Sequence, residues 1–212
     1  MLNLKKVVKF STQQQSHIDT KMSTLGSAIV KGEKTIKIGG IYLWDGQDKL
    51  TKRIKHRISL RTLRYQDRRC AFCEAILLVG STHIEHIVPK GVHGEYTFEP
   101  LNLVSSCASC NSSSKKGETD TVKLPLAGRY RDNHFLMVHP YLDTPENHIV
   151  FKDDQKIELD YARCSPQGKW TVDLFDWDTP WEQNNRLAIA QTRGFDKATL
   201  KEIYAISTYK DY

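Results

Sequence analysis

The sequence has no long apolar run. Its longest aliphatic stretch, Ala75–Val79, spans five residues, whereas a helix needs about 20 apolar residues to cross a bilayer. The first ten residues alternate roughly between apolar and polar side chains and lack the continuous apolar core of a secretory signal. A hydrophobic content of 39% and a charged content of 26% are typical of soluble globular chains. We therefore expect a cytoplasmic protein with one elaborated domain and no membrane segment.

Cysteine is also scarce, with five residues in 212, and four of the five form two Cys-x-x-Cys pairs. The pairs are Cys70 with Cys73 and Cys107 with Cys110. In a reducing cytoplasm, regularly spaced pairs are better explained by a metal than by disulfides. Four thiolates at this spacing suit tetrahedral Zn²⁺, whose closed coordination sphere gives it a structural role. The fifth cysteine, Cys164, is expected to be a small, semi-buried apolar residue.

Acidic residues are few in the first half of the chain. Residues 1–119 hold 19 Lys and Arg against 10 Asp and Glu, whereas residues 120–212 hold 12 against 15. A polyanion such as nucleic acid would therefore be attracted to the half that carries the cysteine pairs. The acidic-leaning half is expected to bind protein rather than DNA.

The densest positive charge lies in the run Asp48–Arg69, which contains no Gly or Pro. Leu50, Ile54 and Ile58 recur there at four-residue steps and predict a helix with one apolar stripe. Its remaining faces would be cationic, and they are either a nucleic-acid surface or merely solvated. Three basic residues near the cysteine pairs are the expected phosphate contacts: Arg61, Arg64 and Arg68.

Local patterns predict the elements around the cysteine pairs. Ala28–Val30 and Thr35–Ile38 flank a turn-like sequence and predict a hairpin, whereas Ser11–Ser27 is weakly patterned. In the centre we expect a strand through Ala75–Val79, a turn, a second strand from His83 to Val88, and a helix opening in the polar run that follows Cys110.

Beyond Asp120 we expect mostly strands and turns, including Thr171–Phe175, and then two helices near the end. The helices are predicted from Trp181 to about Thr192 and from Asp196 to Tyr209, with Gly194 between them. Three aromatic residues are expected in the core: Trp177, Trp181 and Phe195.

The sequence His83-Ile84-Glu85-His86 lies between the two cysteine pairs. A carboxylate beside a histidine suits a divalent cation and a general base. The 33 residues between the pairs exceed the roughly 15 to 20 of ordinary zinc ribbons, as expected if a catalytic hairpin is inserted there. Together these features favour a nuclease.

Four elements occur in a specific order: Cys-x-x-Cys, Glu-His-Ile-Val-Pro, Asn-Leu-Val and Cys-x-x-Cys-Asn. In this order they resemble an HNH endonuclease of the ββα-metal superfamily, over roughly residues 64–118. The strings Cys70–Glu74, His83–His86, Ser106–Asn111 and Pro140–Glu146 are most similar to the HNH subunit of Septu-type and retron-associated anti-phage systems. The resemblance implies a metal-dependent endonuclease that cuts nucleic acid, DNA rather than RNA, and an ATPase partner.

The resemblance also implies roles for single residues. His86 would be the general base, Glu85 a ligand of a catalytic Mg²⁺ or Mn²⁺, and Asn102 would pin the loop by hydrogen bonds to the backbone. Asn111 would be a second ligand of that cation through its amide oxygen, with a helix N-cap as its alternative. The sequence departs from the commoner family pattern, because Glu85 replaces Asp and Asn111 replaces His.

Five further residues are candidate phosphate contacts: His83, Lys90, His93, Lys115 and Lys116. His83 could equally be a structural histidine. The three lysines could equally be exposed residues that contact no phosphate. His93 is expected in a mobile loop between two glycines. Strand alternation would point Glu85 and His86 to opposite faces, so we expect a bulge or the sharp end at Pro89 to bring them together.

The expected fold class is therefore α+β, with a zinc-clamped ββα-metal core at residues 70–119. Residues 1–69 would form an arm with a hairpin and the basic helix, and residues 120–212 a mixed strand and helix part that binds a partner. Three alternatives remain: a zinc module that binds nucleic acid without cutting it, a restriction- or homing-type HNH nuclease that acts alone, and a dithiol redox protein. The intact Glu85-His86 pair disfavours the first, and the two tandem cysteine pairs disfavour the last.

Overall fold

The computed structural model describes residues 1–31, 34–78 and 81–208. These residues form helices and two small antiparallel sheets, which confirms the α+β class. The helices are α1 (Thr12–Met22), α2 (Gly40–Trp44), α3 (Lys49–Tyr65), α4 (Pro166–Leu174), α5 (Pro180–Arg193) and α6 (Lys197–Thr208). The strands are β1 (Ala28–Lys31), β2 (Lys34–Lys37), β3 (Thr82–His86) and β4 (Leu103–Cys107). No helix in the described part of the chain is long and apolar enough to cross a membrane.

The basic helix α3 is confirmed. Asp48 caps it by accepting a hydrogen bond from the Thr51 N–H at 2.8 Å. It ends before the predicted boundary because Asp67 and Arg68 adopt left-handed backbone conformations, with φ of 46° and 58°. Its apolar stripe is fully buried at Ile54 and Ile58.

The weakly patterned segment near the N-terminus forms α1. Its start is a capping box, in which the Ser11 hydroxyl accepts from the Gln14 N–H and the Gln14 side chain accepts from the Ser11 N–H. The predicted hairpin of β1 and β2 is confirmed, with Ile29 paired to Ile36. Its turn residues 32 and 33 lie outside the described residues.

The central hairpin differs from the expected one. β3 pairs with β4, with Glu85 opposite Val104 and His86 opposite Leu103. The prediction of a strand at Ala75–Val79 was wrong for its described residues, where Ile76 forms one isolated bridge to Arg69. Packing decides this outcome, because Leu77 is fully buried in the core while its backbone N–H donates to the Arg68 carbonyl.

Helix α3 is joined to this hairpin by buried polar contacts. The Gln66 amide donates to the Ser105 carbonyl and accepts from the Ser105 N–H, both at 2.8 Å. The Thr62 and Ser105 hydroxyls lie 2.7 Å apart. These bonds satisfy the buried polar groups between α3 and β4 and fix the position of the basic helix against the hairpin.

Two predictions for the second half of the chain were wrong. Thr171–Phe175 lies in and at the end of α4, which begins with Pro166 after the N-cap Ser165. Trp181 and Phe195 are exposed, whereas Trp177 is buried as expected. The predicted closing helices are confirmed as α5 and α6, with the last residues, 209–212, outside the described range.

One hydrophobic cluster joins the three predicted segments of the chain. It contains Leu4 and Leu63 from the first segment, Phe72 from between Cys70 and Cys73, and Met137 and Phe175 from the last segment. The rings of Phe72 and Phe175 lie 4.9 Å apart. The second half of the chain therefore packs directly against the cysteine knuckles.

Candidate functional site

The four paired cysteines converge. The Sγ atoms of Cys70, Cys73, Cys107 and Cys110 all lie within 4.8 Å of one another, and those of Cys73 and Cys107 are 3.7 Å apart. Zn–S bonds of about 2.3 Å in a tetrahedron place sulfurs roughly 3.8 Å apart. The geometry and the donor set therefore fit a structural Zn²⁺. Cys164 is buried elsewhere in the core, as expected.

Backbone N–H groups support the thiolates. The Cys107 N–H donates to Cys70 Sγ and the Cys110 N–H to Cys107 Sγ, each at 3.4 Å. Glu74 closes the first knuckle with a φ of 69°. These contacts suit deprotonated sulfurs that bind a cation.

His86 is held at the end of β3 by its ring. Its Nε2 lies 3.0 Å from the Thr97 carbonyl oxygen, and the Trp44 ring packs edge-on at 4.6 Å. A carbonyl oxygen only accepts, so Nε2 carries the hydrogen and Nδ1 keeps its lone pair. Burial lowers the pKa of His86 to about 3, so the ring is neutral at physiological pH. It has the tautomer and charge of a general base.

Glu85 is buried beside His86. Its Oε1 lies 3.2 Å from the Lys116 ammonium. Burial raises the pKa of Glu85 to about 7, against the opposing effects of Lys116 and Lys90. The ladder runs through both residues of the pair without a bulge, yet Lys90 and Lys116 act electrostatically on both Glu85 and His86. Both side chains are buried at the end of β3.

Asn102 uses all its hydrogen-bonding capacity. Its Oδ1 accepts from the Val88 N–H at 2.6 Å and from the Tyr130 hydroxyl at 2.9 Å. Its Nδ2 donates to the carbonyls of Val88 and Tyr96 at 3.0 and 2.9 Å. Asn102 thus ties both ends of the segment 88–96, which precedes Thr97. These bonds agree with the indirect, loop-pinning role expected for it.

Asn111 follows the last cysteine in a series of turns instead of the expected helix. The run Asn111–Ser114 contains four consecutive polar residues that compete with helical hydrogen bonds. The N-cap alternative therefore does not apply. Among the described residues, the Asn111 side-chain amide has no hydrogen-bonding partner, so its oxygen is available to a cation.

The candidate phosphate contacts fall into different settings. Lys116 is fully buried against Glu85, and Lys115 pairs with Glu182 of α5. Both ammonium groups are therefore engaged inside the protein, in contrast to the phosphate contacts expected of them. Lys90 is half-buried, and its ammonium lies 4.0 Å from a Glu118 carboxylate oxygen.

The two further histidines, His83 and His93, differ in their exposure to solvent. His83 is exposed on β3 and free to meet a ligand. His93 is buried, and its Nε2 lies 2.9 Å from an Asp120 carboxylate oxygen. This contact fixes His93 in place, so the expectation of a mobile loop residue was wrong.

The basic face of α3 borders an open groove of about 730 Å³. Its cationic lining residues are Lys49, Lys52, Arg53, Arg57 and Arg61. A second groove, lined by α2 and by Gly91 of the segment 88–96, shares Gln47 with the first. Of the other expected contacts, Arg64 is exposed and Arg68 is half-buried.

The sequence patterns do not indicate four residues around this site: Trp44, Thr97, Tyr130 and His139. Gly40 is a signal for the close approach of α2, the helix that carries Trp44. A Cβ at Gly40 would lie 2.3 Å from the Lys90 carbonyl oxygen and 2.5 Å from Thr97 Oγ1. Only glycine allows α2 to approach the segment 88–97 so closely. No local signal identifies the other three.

Comparison with known proteins agrees with this geometry. Residues 70–117 match the family model described as HNH endonuclease. This stretch is an HNH domain. It contains the four clustered cysteines, Glu85, His86 and Asn111.

The chain is also similar to named relatives. It is 33% identical over 97 residues to Septu protein PtuB of Bacillus thuringiensis and 30% identical over 125 residues to Septu protein PtuB of Bacillus mycoides. These alignments cover 45% and 50% of the chain, and 33% and 42% of the relatives. It is also 29% identical over 99 residues to protein ea31 of Escherichia phage lambda, over 46% of the chain and 28% of that protein. The matched parts therefore span less than half of these relatives.

Proposed function

We propose that this protein is a metal-dependent endonuclease that hydrolyses phosphodiester bonds in DNA, with His86 as the general base. The observation that carries the proposal is the bond from His86 Nε2 to the Thr97 carbonyl, which leaves the lone pair of Nδ1 as a proton acceptor. A neutral buried imidazole can take a proton from water as the water attacks phosphorus. In the proposed reaction, Asn102 holds the loop that provides the carbonyl.

A catalytic Mg²⁺ or Mn²⁺ would be held by the Glu85 carboxylate and the Asn111 amide oxygen. Both are hard oxygen donors of the type these cations prefer. The buried Glu85 carboxylate pairs with the Lys116 ammonium at 3.2 Å, so a bound cation would compete with this ion pair. When bound, the cation would stabilise the charge that develops on the phosphoryl and leaving oxygens.

Helix α3 is proposed as the surface that binds the nucleic-acid backbone. Its exposed cations follow one face for several turns, and the groove beside them leads past Gln47 to α2 and Gly91. Lysine and arginine on such a surface bind phosphates without reading sequence. Arg61, Arg64 and Arg68 would extend this contact towards the C-terminal end of the helix.

Neutralising exposed charge on α3 tests this surface. The triple variant Lys49→Gln, Lys52→Gln, Arg53→Gln should weaken DNA binding and flatten the slope of log affinity against log salt by about 2 to 3, because each lost phosphate contact removes roughly one released counterion. Fluorescence anisotropy at several salt concentrations measures both quantities.

The matched control removes three exposed cations from the second half of the chain. It is Lys123→Gln, Arg129→Gln, Arg131→Gln, which should leave the slope unchanged. Equal losses in both triple variants would show that net charge, and not α3, determines binding.

The biological setting is proposed from the two relatives named Septu protein PtuB. We propose that the protein is the nuclease of an anti-phage defence system and acts with an ATPase partner. Residues 120–212 would provide the contact, and Trp181, which is 72% exposed on α5, is the largest apolar side chain available there.

Incubation with plasmid, single-stranded DNA and RNA in Mg²⁺ or Mn²⁺, with and without the ATPase, tests this function. Cleavage of DNA is expected. Binding of DNA without cleavage under every condition would contradict the enzyme and favour a zinc module that only binds.

A further inference from the structure

Two buried polar side chains outside the HNH stretch form a hydrogen-bonded series that ends at Asn102. The Tyr130 hydroxyl lies 2.9 Å from Asn102 Oδ1 and 3.1 Å from His139 Nε2. Tyr130 is 5% exposed and His139 is fully buried. The Phe135 ring packs at 4.5 Å against His139 and fixes its plane. Neither Tyr130 nor His139 has a part in the reaction proposed above.

Their partners determine the direction of the hydrogen bonds. His139 Nδ1 accepts from the Tyr141 N–H at 3.2 Å, so the hydrogen of the neutral ring is on Nε2 and is donated to the Tyr130 oxygen. The Tyr130 hydroxyl in turn donates to Asn102 Oδ1. Burial lowers the pKa of His139 to about 3 and raises that of Tyr130, so both groups stay neutral.

Asn102 connects this chain to the catalytic loop. The Tyr130 hydroxyl and the Val88 N–H both donate to Asn102 Oδ1, and Nδ2 donates to the carbonyls of Val88 and Tyr96. The next residue, Thr97, supplies the carbonyl that holds His86 Nε2. An unbroken series of directed hydrogen bonds thus runs from His139 to the loop that orients His86.

We propose that Tyr130 and His139 are positioning residues that, through Asn102, fix the orientation and tautomer of His86. The inference rests on the proposed function of His86 as the general base. It assigns a role in the nuclease site to residues that follow the HNH stretch. Buried polar chains specify one arrangement only when every member is paired, which is the case here.

The test is Tyr130→Phe, which removes one oxygen and keeps the ring. Its kcat should fall by about tenfold or more, since small displacements of a catalytic group have large effects on rate, while KM for DNA stays unchanged. The imidazole nitrogen resonances of His86, measured by ¹H–¹⁵N correlation, should change from a single Nε2–H tautomer to a mixture.

A second pair of variants tests the other end of the chain. His139→Gln places an amide N–H near the position of Nε2 and should retain most of the activity, whereas His139→Leu should resemble Tyr130→Phe. Thr51→Val is the control for stability, because it removes a fully buried hydroxyl that donates to Asp48 at 2.7 Å and contacts no member of the chain.

The outcomes separate this inference from the proposed function. An unchanged His86 tautomer in Tyr130→Phe would overturn the positioning role, even in a protein that cuts nothing. A fall in kcat that Thr51→Val reproduces would also overturn it, since loss of stability would then be the cause. If the His86 tautomer changes in Tyr130→Phe but the wild-type protein has no nuclease activity, the positioning role is supported and the proposed function is refuted.

Discussion

The variant His86→Gln should lose nuclease activity by about 100-fold or more, because general bases typically contribute factors of 10² to 10⁴. The glutamine amide can still donate to the Thr97 carbonyl in place of Nε2. It has no basic nitrogen in place of Nδ1. The variant therefore removes the proton acceptor and retains the bond that holds the loop. Single-turnover cleavage of labelled DNA measures the effect.

DNA affinity and thermal stability of His86→Gln should stay near those of the wild type, because the buried hydrogen bond is kept. His86→Ala is the informative comparison, since it also leaves the Thr97 carbonyl without its donor and opens a cavity beside Trp44. It should be both inactive and less stable. Wild-type rates in His86→Gln would remove His86 from the role of base.

Removal of zinc should unfold the protein. In small zinc-binding domains the metal contributes about 10–16 kcal/mol, which is comparable to the whole stability of a domain, roughly 5–15 kcal/mol. Cys70 and Cys110 are buried in the main hydrophobic cluster, together with Phe72 between the first pair. Without the cation, four thiols would have to share a small buried space.

A strong chelator should therefore abolish the cooperative thermal transition and expose the thiols of Cys70, Cys73, Cys107 and Cys110 to a thiol reagent. Metal analysis should find one zinc per chain before chelation. Cys70→Ser should prevent zinc binding, whereas Cys164→Ser, at an equally buried cysteine outside the cluster, should retain it. A protein that folds normally with all four clustered cysteines replaced would contradict the structural zinc.

Local sequence signals were sufficient for much of the fold. The four-residue apolar repeat predicted α3, and the spacing of the cysteines predicted their cluster. The start of α4 was also written in the sequence as Ser165-Pro166, an N-cap followed by proline at the first helical position. The β-prone residues Thr171–Phe175 favoured a strand prediction instead. In the structure, Val172 and Phe175 are buried in one hydrophobic cluster with Phe72, and this packing favours the helix.

The contacts within the site were less predictable because they join residues far apart in the chain. Lys116 meets Glu85 across 31 positions and His93 meets Asp120 across 27. Neither pair has a local pattern that distinguishes it from exposed charge. The loop-pinning bonds of Asn102 agree with the role that the family resemblance implied, but its partner Tyr130 follows Asn102 by 28 positions.

We propose that the cysteine cluster stabilises the fold through its zinc, while Glu85, His86 and Asn111 catalyse cleavage with a second cation. Cleavage by protein that contains one zinc per chain, measured before and after addition of Mg²⁺ or Mn²⁺, tests it most directly. We predict that cleavage starts only on addition of the second cation, and that Glu85→Gln abolishes it while the zinc content stays the same. Cleavage by the zinc-loaded protein alone, or undiminished cleavage by Glu85→Gln, would contradict this division of roles.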